Sequence, residues 1–237
     1  MSARLAILIS GRGSNMLAIA RACATGRLDA TVAGVIADRA DAAGIAAADA
    51  LGLDTAVVAR ADHPDRASFE RALAARLDAF HPDLVVLAGF MRILGEELVD
   101  AWQGRMLNIH PSLLPRHPGL DTHARALAAG DTEHGASVHY VTSELDAGPL
   151  VAQARVPVHA DDTPDSLAAR VLAEEHALYV RALASVIADD YARSADRSAN
   201  APSNGTSEAP FDEHATEADP NGDLPSAASR HRAAPIP

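Results

Sequence analysis

Leu5-Ala6-Ile7-Leu8-Ile9-Ser10-Gly11-Arg12-Gly13-Ser14-Asn15 is an apolar run that breaks into a glycine turn just ahead of a helix-like pattern. The run is continuous rather than alternating, which predicts a strand covered on both faces, as in a parallel sheet. It is too short to span a membrane, and Gly11-Arg12-Gly13 stops it. Glycines there let the backbone approach a ligand, and the free N–H groups at a helix start attract phosphate. The last glycine of a dinucleotide fingerprint is missing, as is the Gly-Lys-Ser/Thr of a P-loop. A mononucleotide or sugar phosphate fits this turn better than NAD or ATP. The plainer alternative is a strand–helix turn capped by Ser14 or Asn15.

Working outward, helical spacing covers residues 16–25, an Ala-rich run to about 51, and 65–80, where Phe69, Leu73, Leu77 and Phe80 form one stripe. Strands are predicted at 32–37, 55–58 and 84–88. Strands alternating with helices imply right-handed crossovers and a doubly wound, mainly parallel α/β sheet. After Pro115 the pattern changes to a short helix at 122–129 and strands at 135–142 and 150–157. The last helix opens on Thr163-Pro164-Asp165: a cap, a proline at the first helical position and an acid in the first turn. Leu167, Val171, Leu178 and Val186 carry its apolar stripe to about residue 187.

Residues 194–237 hold 6 of the 14 prolines, and Phe211, Leu224 and Ile236 are their only large apolar side chains. That composition cannot bury enough surface to offset chain entropy, so a domain at 1–193 and a disordered polar, acidic tail at 194–237 are expected. Hydrophobic residues make up 48% of the chain but aromatics only 3%, so Ala, Val and Leu must fill the core. All basic residues are arginine, and the formal charge is −12. Such a charge argues against a non-specific nucleic-acid binder, yet a local site on an acidic protein can still be positive. The single cysteine, Cys23, rules out an intrachain disulfide framework. A soluble, cytoplasmic chain is expected, acting on a small molecule rather than nucleic acid or membrane. A homodimer is left open.

Met106-Leu107-Asn108-Ile109-His110-Pro111 reads as a short buried strand that proline ends. Asn108 and His110 stand two apart, so both side chains face the same way. An amide and an imidazole side by side are the equipment of acyl transfer, although loop capping is the commoner use of the pair. Residues 88–94 follow a central strand, where open sheets present their ligand crevices. There Phe90, Met91, Ile93 and Leu94 suit either a flat apolar pocket or core cover, and Arg92 suits a carboxylate. Thr142-Ser143-Glu144-Leu145-Asp146 is an acidic loop. A lone Asp there usually bonds its own turn, but next to His110 it would favour imidazolium and raise its pKa. The eleven histidines are scattered with no His-Glu-x-x-His pattern, and no metal is expected.

Together these segments, with residues 85–94, 107–115, Pro118-Gly119, 134–139 and 144–149 in order, carry a resemblance. From residue 4 to about 188 the chain resembles the folate-dependent phosphoribosylglycinamide formyltransferases. The resemblance implies formyl transfer from 10-formyltetrahydrofolate to the amine of 5'-phosphoribosylglycinamide in purine synthesis. It places the family's catalytic triad on Asn108, His110 and Asp146. Asn108 and protonated His110 would stabilise the oxyanion, and Asp146 would raise the His110 pKa. The substrate phosphate would lie on Gly11, Arg12, Gly13, Ser14 and Asn15, with Glu175 holding part of the glycinamide end. The folate would contact Arg66, Met91, Arg92, Ile93, Leu94, Asn108 and the loop of Thr142, Ser143, Glu144, Leu145 and Asp146. Asp121 stands where some relatives have His and receives no role, and the chain turns polar after Arg193 where relatives continue with strand-like sequence. A methionyl-tRNA formyltransferase would usually add a basic C-terminal domain, and a formyltetrahydrofolate deformylase a regulatory domain ahead of the first strand. A non-catalytic folate or nucleotide-binding module would have no need of a general base.

Overall fold

Strand and helix alternate through the first hundred residues: β1 (Ala3–Ile9), α1 (Ser14–Ala24), β2 (Ala30–Ala37), α2 (Ala43–Asp49), β3 (Thr55–Val57), α3 (Arg66–Phe80), β4 (Leu84–Leu87) and α4 (Glu96–Ala101). Then come β5 (Met106–His110), α5 (Thr122–Ala128), β6 (Glu133–Tyr140), β7 (Leu150–Pro157) and α6 (Pro164–Ala199). The computed structural model describes residues 2–199. Across the sheet the order is β3-β2-β1-β4-β5-β6-β7. β1 to β5 pair in parallel, whereas β5 with β6 and β6 with β7 are antiparallel. The expected doubly wound sheet is therefore present, with two antiparallel ladders at one side.

Each central strand is apolar on both faces because each face meets helices. Leu5, Ile7 and Ile9 of β1 pack with Met16 and Ile19 of α1 and with Leu167, Val171 and Leu178 of α6. Ala6 and Leu8 pack on the other side with Phe69, Leu73 and Leu77 of α3. Leu73 is fully buried there, and truncating such a leucine to alanine costs about 2–5 kcal/mol. Asp65 caps α3, its carboxylate accepting from the Ser68 N–H at 2.7 Å.

The chain leaves β1 to one side of the sheet for β2 and β3, then returns to place β4 on the other side of β1. That reversal is the switch point at which open α/β sheets bind ligands, outside the carboxyl ends of the strands. β1 feeds the glycine turn and β4 feeds residues 88–95, so the two candidate binding segments lie side by side. The Ser10 N–H donates to the Gly89 carbonyl at 3.1 Å, and the Met91 N–H donates to Ser10 Oγ at 2.8 Å.

Two elements differ from the sequence reading. α4 was not expected, because its short length presents no repeating stripe, although Leu98 and Val99 are buried. The expected boundary at 193/194 falls inside α6, which continues to Ala199. The remainder of the expected tail, 200–237, lies outside the described residues. Among the described residues no helix is long and apolar enough to cross a membrane.

Candidate active site

Asn108 and His110 share a face of β5, and β6 places His139 and Ser137 directly across from them. Ser137 Oγ donates to the Ser112 carbonyl at 2.6 Å and accepts from Leu114 N–H at 3.0 Å. Gln153 of β7 donates to the same hydroxyl at 2.8 Å. The loop after β5 is thus tied back to the sheet, which fixes the backbone that carries His110.

His110 is buried between two acceptors. Its Nε2 lies 3.0 Å from the His117 carbonyl, and its Nδ1 lies 3.4 Å from Asp146 Oδ2. The two ring nitrogens thus face a backbone carbonyl and a carboxylate. Asp146 Oδ2 also accepts from the Gly119 N–H at 2.8 Å, so the carboxylate bonds across the chain rather than within its own turn. Asp146 itself has φ 53°, a left-handed conformation that Asp tolerates better than most residues. Gly148 lets this loop close, since a Cβ there would stand 1.8 Å from the Tyr140 carbonyl oxygen.

His139 sets the orientation of Asn108. Its Nδ1 lies 2.9 Å from the Tyr140 carbonyl and therefore carries the proton. Burial pushes the His139 pKa down, leaving Nε2 as a lone pair 3.2 Å from Asn108 Nδ2, which donates to it. Behind this group His123 and His134 meet at 3.1 Å, and burial, with His123 and His117 nearby, pushes the His134 pKa down to about 4. Five histidines scattered in sequence, His110, His117, His123, His134 and His139, are therefore gathered in space. Among the described residues they form no metal-ligand cluster.

Two cavities open at the switch point. The first, about 500 Å³, is lined by residues 89–94, by Asn108 and His110, and by the acidic loop 142–146. Its apolar wall divides the 88–94 segment. Phe90 and Leu94 are buried in core, while Met91 and Ile93 are 67% and 64% exposed, and all four line the cavity. The second, about 410 Å³, is lined by Gly11, Arg12, Gly13, Ser14, Asn15 and Glu175, with Asp38 and Arg92. Gly13 occupies the N-cap of α1 at φ 71°, and no side chain caps the helix. Asn15 instead donates to Glu175 Oε2 at 2.7 Å. The first N–H groups of α1 are therefore without a side-chain cap. Burial raises the Glu175 pKa, partly opposed by the Asn15 hydrogen bond.

Residues 3–183 match the formyl transferase family. The chain is 50% identical over 175 residues to the phosphoribosylglycinamide formyltransferase of Escherichia coli (strain K12), covering 74% of this chain and 82% of that one. The chain belongs to the phosphoribosylglycinamide formyltransferase family. The Haemophilus influenzae relative of the same name is 40% identical over 176 residues, with 74% of this chain and 83% of that one covered. The crystal structure of glycinamide ribonucleotide transformylase 1 from Symbiobacterium toebii superposes with a TM-score of 0.76. It is 46% identical, covering 77% of this chain and 86% of that one.

Within this family fold, the residues expected to serve the sugar phosphate all line the second cavity, and those expected to serve folate line the first, except Arg66. Arg66 lines neither. It pairs with Glu70 at 2.7 Å, and the same Glu70 oxygen accepts from the Gly95 N–H at 2.7 Å. Arg66 thus braces the end of the folate-side segment from outside. His139, His123 and Asp121 line the first cavity without having been expected there. His139 had a readable signal in the alternation of 134–140, but its partner Asn108 follows only from the antiparallel register.

Proposed function

We propose that this chain transfers a formyl group from 10-formyltetrahydrofolate to the amine of 5'-phosphoribosylglycinamide, with Asn108, His110 and Asp146 as its catalytic residues. The observation that carries the residue assignment is the convergence of these three side chains on the wall of one cavity beside the glycine turn. A 500 Å³ cavity with an exposed methionine and isoleucine on its wall suits a flat bicyclic ring. When bound, the folate supplies the formyl group and the substrate the attacking amine; positioning, charge stabilisation and proton transfer fall to the protein.

The glycine turn receives the phosphate on unpaired N–H groups, and buried Glu175 accepts from the glycinamide end. This holds the amine at the junction of the two cavities, where proximity supplies much of the rate. Charge gathers on the formyl oxygen as the amine attacks. Asn108 Nδ2, fixed by His139, is the donor aimed at it, and such a donor in a dry site contributes a few kcal/mol. As the bond from the formyl carbon to the folate nitrogen breaks, His110 gives that nitrogen a proton and takes back the one the attacking amine loses, and Asp146 stabilises the charged ring.

The acceptor requirement tests the reading. Tetrahydrofolate release from 10-formyltetrahydrofolate should depend on added 5'-phosphoribosylglycinamide. Equal release with water alone would place the chemistry with the deformylases.

A further inference from the structure

Asp38 follows β2 directly, and its side chain is wholly buried although it lies beside the sugar-phosphate cavity. A carboxylate out of water needs a partner, and a buried ion left alone is costly. The Asp38 carboxylate is held from one side: Oδ2 accepts from Nε of Arg92, while Oδ1 has no hydrogen bond among the described residues. Nε of Arg92 is thus pinned, while its side chain remains 42% exposed. Asp38 lines the second cavity only, whereas Arg92 lines both. The head of Arg92, held against Asp38, is therefore on the sugar-phosphate side, while Met91 lines both cavities and Ile93 the apolar one alone.

We propose that Asp38 is a positioning residue that aims the Arg92 guanidinium into the sugar-phosphate cavity, making its side chain a cationic wall for the anionic substrate. This rests on the sugar-phosphate assignment of that cavity. The pairing uses one fork of an arginine whose remaining N–H donors match phosphate and carbonyl oxygens. A free arginine on this wall would sample many rotamers. Pinning Nε removes that entropy before the ligand arrives. Ser10 supports the same geometry, because its hydroxyl holds the Met91 N–H one residue before Arg92.

A double-mutant cycle with Asp38→Asn and Arg92→Met tests the proposal, read as KM for each substrate against kcat. Asp38→Asn should raise KM for 5'-phosphoribosylglycinamide about fivefold and Arg92→Met about tenfold, the loss of one charge-assisted hydrogen bond. KM for the folate should change less than about twofold in either. In the Arg92→Met background, Asp38→Asn should add nothing, since it acts only through the guanidinium. Multiplying effects, or a rise confined to the folate KM, would overturn the proposal. Thermal melting of each variant separates a local change from loss of the fold, and Arg92→Lys supplies a charge-retaining control expected to lie between wild type and Arg92→Met. Calorimetric titration with ribose 5-phosphate repeats the cycle without turnover. A cycle that holds in binding while no formyl transfer is seen leaves the pair standing and removes the proposed reaction.

Discussion

Ile93 stands about two-thirds exposed on the wall of the 500 Å³ cavity and lines no part of the other, whereas the wall of the 410 Å³ cavity carries Asn15, Asp38 and Glu175, all three buried. The first cavity keeps apolar surface in water, and apolar surface gathered in a cleft marks a place that a ligand covers. The second keeps polar and charged groups out of water, with Asn15 Oδ1 and Asp38 Oδ1 lacking hydrogen bonds among the described residues. Each cavity therefore departs from ordinary burial in the direction of its ligand. Asn108, His110 and Asp146 line the first cavity, and His123 lines both.

Breaking the catalytic group should cost most. His110→Asn should lower kcat by about a thousandfold or more, since it removes the proposed proton carrier beside Asp146. Folate affinity, measured by fluorescence titration, should stay within about threefold. Loss of folate affinity to match the loss of rate would make His110 a wall residue.

The cavities should then separate under substitution. Ile93→Ser exchanges exposed apolar area for a polar group in the first cavity alone and should raise the folate KM about fivefold, at about 25 cal/mol for each Å² of apolar surface the folate no longer covers. Gly13→Ala forces a side chain onto φ 71°, with its Cβ 3.1 Å from Gly44 Cα and Met16 Cε, and should act on the sugar-phosphate KM instead. If both changes moved both constants equally, the division of labour would fail.

The smallest effect is on stability. The fold keeps His134 neutral to about pH 4, whereas an unfolded histidine takes its proton near 6.5. Stability from this group is complete above about pH 6.5 and falls as pH drops toward 4, because the unfolded chain binds the proton first. Glu175 acts oppositely: its raised pKa favours the fold at low pH, and that share is lost as pH rises from 4.5 toward the raised value. Urea midpoints between about pH 7.5 and 5 should fall less steeply in His134→Gln than in wild type. An unchanged slope would remove His134 from the account.

The sheet was legible because β1 and β4 are apolar without interruption over their central residues and the glycine turn follows β1 at once. α4 was not legible, since a six-residue helix shows less than two turns of pattern. The triad residues were legible as types: Asn108 and His110 by their spacing of two, Asp146 only through the family resemblance, since no pattern within the loop separates it from a turn residue. What no local pattern carries is pairing between distant segments. His139 opposite Asn108, Asp38 against Arg92 and Arg66 turned toward Glu70 all depend on how the chain packs, not on the residues beside them in sequence.

Asp146→Asn is the most direct test of the central claim that a carboxylate-supported His110 and an oriented Asn108 carry the transfer. The substitution keeps shape and one acceptor for the Gly119 N–H while removing the charge 3.4 Å from His110 Nδ1. In a single-turnover measurement with both substrates saturating, the account predicts a fall of about a hundredfold or more in the rate of formyl transfer, with folate affinity within about threefold. A mutant with near wild-type single-turnover rate would contradict it and leave Asn108 and His110 working without a carboxylate.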